Sequence, residues 1–283
     1  MKPEKFKLVD LKQLLEEALK EVRPFSTFFV LEGQVAGSGT FVSISGIFGI
    51  LTAKHVWDHI VAQGKPTVAI QVSDRRHLFS IDLSLLIPVL NLPRKTSAFG
   101  PDLEFIKLPD RDVGRIAALK SFYNLDINRL RRFNQTNGPL GTCIVAGALA
   151  SMSRSVTEPG FVREMLVVRV GGIVLERSRR KRNGKFDYWE LEAKIDTNGA
   201  PKSFGGVSGG GVWRVLVDKK AGAGLETSRI SAVLFGGVAF YQSAPRKGWR
   251  FIRSHGAITT YKVLPKLLKV GLQKISKRRG RLL

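Results

Sequence analysis

The sequence predicts an all-β fold with one helix at each end. Two observations lead there. Short apolar or alternating runs recur through most of the chain, punctuated by Gly, Asn, Asp and Pro, as many short strands closed by turns would be. No long helical pattern alternates with these runs, and no G-x-G-x-x-G opens a helix, which argues against a dinucleotide-binding fold. At 283 residues and 43% hydrophobic, the chain can bury a full core, as one large all-β domain or two smaller ones.

The elements follow in order. Residues 5–23 read as an amphipathic helix, because Leu11, Leu14, Leu15, Ala18, Leu19 and Val22 form one stripe. Asp10 is placed as an N-cap, Gln13 as its capping-box partner, and Pro24 as the stop. The stripe is expected to dock on the domain. Strands are expected at Phe25–Glu32, Thr40–Ser45, Ile47–Ala53, Thr67–Val72, Leu78–Leu83 and Leu103–Leu108, a spacing that fits a barrel or a sandwich. Residues 109–138 read as a connection, and a second strand-rich half follows. Its runs are Met165–Val170, Ile173–Arg177, Phe186–Ile195, Val212–Val217 and Ile230–Phe240. Asn183-Gly184 is the preferred dipeptide of a type I′ hairpin turn. A C-terminal helix is expected near residues 262–276, followed by a frayed basic tail at Lys277–Arg281.

Charge and cysteine content narrow the setting. The formal net charge is +23, and much of the excess is local. Arg177–Lys185 carries six Lys/Arg and Tyr261–Leu283 carries eight, with no acid in either. Such density attracts nucleic acid or acidic partners, through Arg177–Lys185 and Lys262–Arg281, or simply keeps a face solvated. No run of about 18 apolar residues occurs, so no transmembrane helix is expected. The charged start, Met1-Lys2-Pro3-Glu4-Lys5, argues against a secretory leader. A lone cysteine, Cys143 in an apolar run, forms no intrachain disulfide; the expectation is a reducing, cytoplasmic setting.

The chemistry centres on Phe204-Gly205-Gly206-Val207-Ser208-Gly209-Gly210-Gly211-Val212-Trp213. Five glycines around one serine make either a plain turn between strands or a loop that presents a hydroxyl beside converging N–H groups. Two partners lie upstream. Leu51-Thr52-Ala53-Lys54-His55-Val56 ends an apolar stretch with a histidine, and Gly100-Pro101-Asp102 opens the alternation Leu103–Leu108. His55 and His59 stand four apart beside Asp58, but no third ligand or cysteine cluster accompanies them, so no metal and no cofactor is expected.

With these residues in the order His, Asp, Ser, the chain resembles the chymotrypsin-like serine peptidases, especially intracellular bacterial members distantly related to HtrA proteases. Gly37–Val42, Gly46–Val56, Asp102–Leu108 and Gly206–Gly211 carry the likeness, which covers about residues 25–262. It implies two antiparallel β-barrels, over 25–125 and 126–262, between an N-terminal helix at 1–24 and a basic C-terminal helix and tail at 263–283. It implies a serine endopeptidase acting on protein or peptide. Ser208 would be the nucleophile, His55 the general base and acid, and Asp102 the group that orients the imidazole, with Asp82 as the alternative. Backbone N–H groups of Gly206 and Ser208 would form the oxyanion hole. Val238, Ala239 and Phe240 would offer a strand edge to substrate, and Lys202 would line the primary pocket, favouring an acidic side chain.

Two departures matter. Secreted members carry Asp where this chain has Val207, so activation by a new N-terminus is not expected. Gly211 replaces the usual proline and leaves a looser loop. Together they imply control by loop ordering or by a regulatory partner, with an oxyanion hole disordered at rest.

Overall fold

The computed structural model describes residues 8–72, 78–90, 92, 100–134, 141–148, 154–157, 164–167, 170–175, 177–194, 205–218 and 229–279. Two antiparallel sheets dominate it. The first uses β1 (Ser26–Leu31), β2 (Gln34–Ile44), β3 (Ile47–Thr52), β4 (Thr67–Gln71), β5 (Leu78–Asp82), β6 (Ile87–Pro88), β7 (Glu104–Lys107) and β8 (Tyr123–Asn124). Its order is β5-β4-β1-β2-β3-β7-β6, with β8 added parallel to β2. A small separate hairpin pairs β10 (Arg154–Thr157) with β11 (Glu164–Val167). The second sheet uses β9 (Gly141–Ala148), β12 (Val170–Leu175), β13 (Arg177–Asn183), β14 (Phe186–Lys194), β15 (Gly211–Asp218), β16 (Arg229–Gln242) and β17 (Trp249–His255). Its order is β12-β9-β15-β16-β17-β14-β13. The all-β expectation therefore holds. Among the described residues, each sheet is an open path rather than a closed ring.

Turn chemistry sets the registers of the first sheet. Leu31 pairs with Gln34, and Glu32 and Gly33 between them both take positive φ, +49° and +77°. Ile44 pairs with Ile47 across Ser45 and Gly46, at +51° and +74°. Both are two-residue loops with left-handed φ at each central position, the type I′ pattern whose twist matches that of strands. The Asn183-Gly184 expectation needs correction. Asn183 pairs directly with Phe186, so the central residues are Gly184 and Lys185, and only Gly184 takes positive φ, +57°. Glycine alone at the first central position is the type II′ arrangement.

The helices differ from expectation at their ends. α1 (Leu8–Val22) already includes Asp10, so Asp10 is inside the helix rather than capping it. Ala18, Leu19 and Val22 are buried, and α1 packs on β9, β12 and β16, so the stripe docks on the domain. Burying a leucine or valine side chain is worth about 1.5–3 kcal/mol, enough to hold a helix whose propensity alone would not. The connection contains α3 (Asp110–Ala117) and α4 (Leu125–Asn134), neither of which the strand-and-turn reading anticipated. After a π-type turn at Thr259–Val263, α5 (Leu264–Arg279) runs into the expected tail as far as Arg279, and Gly280 and Arg281 lie outside the described residues.

The sheets share one core. Trp213 from β15 meets Tyr123, Phe235 and Phe25 at centroid distances of 5.3, 5.0 and 5.8 Å, joining the connection, the second sheet and the entry to β1. Edge-to-face and tilted aromatic contacts of this kind add about 0.5–1.5 kcal/mol each beyond their burial. A second apolar cluster, Val145, Trp189, Leu191, Ala193, Val207, Val212, Ala239 and Ile252, lies in the second sheet and takes in the residue before Ser208.

Candidate active site

His55 stands in the first turn of α2 (Lys54–Ala62), directly after β3. Ala53 precedes the helix and offers no side-chain cap, so the first amides of α2 need an acceptor from elsewhere. Asp102 supplies it. Its Oδ1 accepts the His55 backbone N–H at 3.0 Å, and its Oδ2 lies 2.8 Å from His55 Nδ1. One carboxylate thus caps the helix and orients the ring. Asp102 is 3% exposed, whereas the His55 side chain is 48% exposed. The buried anion sits at the positive end of a helix, where its charge is stabilised. The imidazole keeps an open edge toward solvent. Asp82, the alternative, is occupied elsewhere: it accepts from Ser84 N and Ser84 Oγ at 2.8 and 2.7 Å, which lowers its pKa.

The serine loop is pinned against the strand pair that leads to His55. Ser38 N–H donates to Ser208 O at 2.7 Å, and Ser38 Oγ donates to Gly206 O at 2.6 Å while accepting Ala148 N–H at 2.8 Å. Thr52 Oγ1 donates to Ser38 O at 2.7 Å, three residues before His55. Gly209, at φ +88°, lies so close that an added Cβ would collide with Ser38 O and Thr52 Oγ1. Only glycine satisfies both the close approach and the left-handed backbone there. Ser38 is wholly buried and links the loop, β2 and β9. Sequence reading missed it as a functional residue. Its only signal was a hydroxyl between two glycines in a strand.

The loop's own amides are divided. Gly209 N–H donates to Ala239 O at 2.7 Å and Gly210 N–H to Val207 O at 2.8 Å. Among the described residues, the N–H groups of Gly206 and Ser208 have no acceptor. Those are the two amides expected to bind an oxyanion. Five hydrogen bonds hold residues 206–210. Val207 is 3% exposed within the second apolar cluster. Packing there replaces any ion pair at that position.

The strand expected to meet substrate lies inside the second sheet. Val238, Ala239 and Phe240 are all buried, and β16 runs between β15 and β17 at that level. Ala239 donates its N–H to Gly210 O at 2.9 Å and accepts from Gly209 N, so its backbone holds the serine loop. Tyr241, two residues on, is exposed. Lys202 lies outside the described residues.

No protein-family model and no curated protein matches this sequence. Solved structures align at low identity. Neuropsin, a serine protease expressed in the limbic system of mouse brain, is 13% identical, with 86% of this chain and 94% of that one covered and a TM-score of 0.46. An HtrA-type protease, AlgW, with a tripeptide is 15% identical, covering 91% and 64% at 0.43. The serine protease domain of the Sesbania mosaic virus polyprotein is 11% identical, covering 84% and 90% at 0.37. Likenesses at this level say nothing about activity.

Proposed function

We propose that this protein is a serine endopeptidase that cleaves peptide bonds through an acyl-enzyme on Ser208. The observation that carries the reading is the bidentate Asp102, which holds His55 by backbone and ring at once, next to a glycine loop with two amides that no acceptor among the described residues claims. In this reading His55 takes the proton from Ser208 Oγ as that oxygen attacks the carbonyl, then returns it to the leaving amine. Asp102 fixes the tautomer and stabilises the imidazolium. The Gly206 and Ser208 N–H groups receive the developing oxyanion, each worth about 10²–10³ in rate. Water completes the cycle by hydrolysing the ester. The protein would work in a reducing, cytoplasmic setting, consistent with its lone cysteine. Lys202 would favour substrates with an acidic side chain, which cleavage of a peptide library tests; cutting only after apolar or basic residues removes that part. For the activity itself, a fluorophosphonate probe followed by mass spectrometry should leave one adduct on Ser208 and none on Ser208→Ala. Wild-type protein that stays unmodified refutes the reading.

A second reading is favoured by the hairpin of β13 and β14. Arg179, Arg180, Lys181 and Arg182 on the edge strand of the second sheet, and Lys185 in the turn that follows it, are all exposed. They would bind nucleic acid, with or without catalysis. Binding should weaken steeply with salt, and charge-reversing Arg179 and Arg182 should flatten that slope by about 0.9 per lost phosphate contact. Salt-independent binding, or none, dismisses it.

A further inference from the structure

We propose that His255 is a positioning residue for Asp102, clamping it from the second sheet in a fixed neutral tautomer. The inference rests on the hydrolase reading and deepens it. His255 ends β17, and its Nε2 lies 3.2 Å from the Asp102 backbone nitrogen, which carries a hydrogen. An N–H donor demands a lone pair on the ring, so Nε2 is unprotonated and Nδ1 carries the proton. The ring is 1% exposed. Phe240 stacks on it at 4.8 Å, Tyr188 at 5.2 Å and Phe186 at 6.4 Å, each at a tilted or edge angle. Such a cage disfavours a charged imidazole.

The position gives the contact its consequence. Asp102 lies in Gly100–Leu103, which is outside any strand and just ahead of β7. Its two carboxylate oxygens both serve His55. The clamp on its backbone comes from 153 residues further along the chain. The histidine that handles the proton stands on the helix that follows the first sheet, and the histidine that holds the Asp102 backbone ends a strand of the second. Correct relative placement of the sheets becomes a condition for an oriented His55. Ionisable neighbours among the described residues include Asp187 and Tyr188 on β14 and Asp102 itself. Asp187 is committed to Thr259 N at 2.6 Å and Ile258 N at 3.2 Å. The Tyr188 hydroxyl is pushed up to about 12, chiefly by burial and then by the Asp187 and Asp102 charges.

The test uses the whole chain. His255→Gln keeps a carbonyl acceptor near the place of Nε2, and His255→Leu removes it. Fluorophosphonate labelling of Ser208 should slow about tenfold in the leucine variant, the rate equivalent of one hydrogen bond, and stay within about threefold in the glutamine variant. Nitrogen NMR of labelled histidine should find His255 in the Nδ1–H tautomer. The low-field proton of the His55–Asp102 bond should persist in His255→Gln and vanish in His255→Leu. An Nε2–H tautomer, or equal behaviour of the two variants, overturns the proposal. If the leucine variant does not fold, the wild-type tautomer and the glutamine variant decide. A wild type inert to the probe defeats the hydrolase reading, while the NMR signals still decide the clamp.

Discussion

Ser38→Ala is the sharpest probe of how the two sheets build the site. The hydroxyl donates to Gly206 O at 2.6 Å and accepts from Ala148 N at 2.8 Å, and Ser38 has no exposed surface. Alanine removes both bonds without opening a path for water. The buried Ala148 N–H and the part-buried Gly206 carbonyl then lack partners, at about 1–3 kcal/mol for the amide and less for the carbonyl, so a loss of about 2–4 kcal/mol is expected. For a chain of this size each kcal/mol corresponds to about 2–4 °C, placing the melting midpoint roughly 4–16 °C lower. The Ser38 backbone bond to Ser208 O survives the change, so the loop loosens at Gly206, not at the serine. Labelling of Ser208 should therefore fall through a poorer oxyanion hole, while the His55–Asp102 pair is untouched. Differential scanning calorimetry and probe kinetics measure the two effects. A midpoint within about 1 °C of wild type would show that the hydroxyl is not the staple described.

Two other substitutions test the surroundings. Val207→Asp places a carboxylate among Val145, Trp189, Val212 and Ala239, where no cation is among the cluster's residues; a loss of several kcal/mol and of probe labelling is expected, and a stable, reactive variant would refute apolar anchoring of the loop. Glu104→Gln tests a buried acid. Burial pushes the Glu104 carboxyl above its usual range, against hydrogen bonds from Leu90 N and Phe105 N to its Oε1. Between the unfolded and folded pKa values the native state binds the extra proton, so stability falls as pH rises through that window. Glutamine keeps an acceptor and removes the ionisation, so urea melts across that range should lose this slope; an unchanged slope would contradict the assignment.

Some of this protein could be read along the chain. Strand positions in the first sheet came through within a residue or two at Thr67–Gln71 and Ile47–Thr52, because short apolar runs bounded by turn residues carry their own signal. Glu32-Gly33 and Ser45-Gly46 were less visible, since type I′ turns are usually announced by Asn or Asp ahead of the glycine. The hairpin that did carry Asn-Gly shifted by one residue, because cross-strand pairing of β13 with β14 outweighed the turn preference. α3 and α4 are short, and brief helical patterns resemble loops.

What the sequence alone determined is the choice of residue types: a serine among glycines, a histidine after an apolar strand, an aspartate before one, and a valine where an acid would need a partner. Those are local facts, written in composition and order. The tertiary structure decided which groups meet. It gave Asp102 to His55 and left Asp82 on its own turn, closed Ala239 against the serine loop, and drew Ser38 and His255 into the site. Hydrogen bonds between residues 153 or 168 positions apart have no local signature. They form only when the two sheets come together over one core, because a buried polar group takes whichever partner the packing brings within reach.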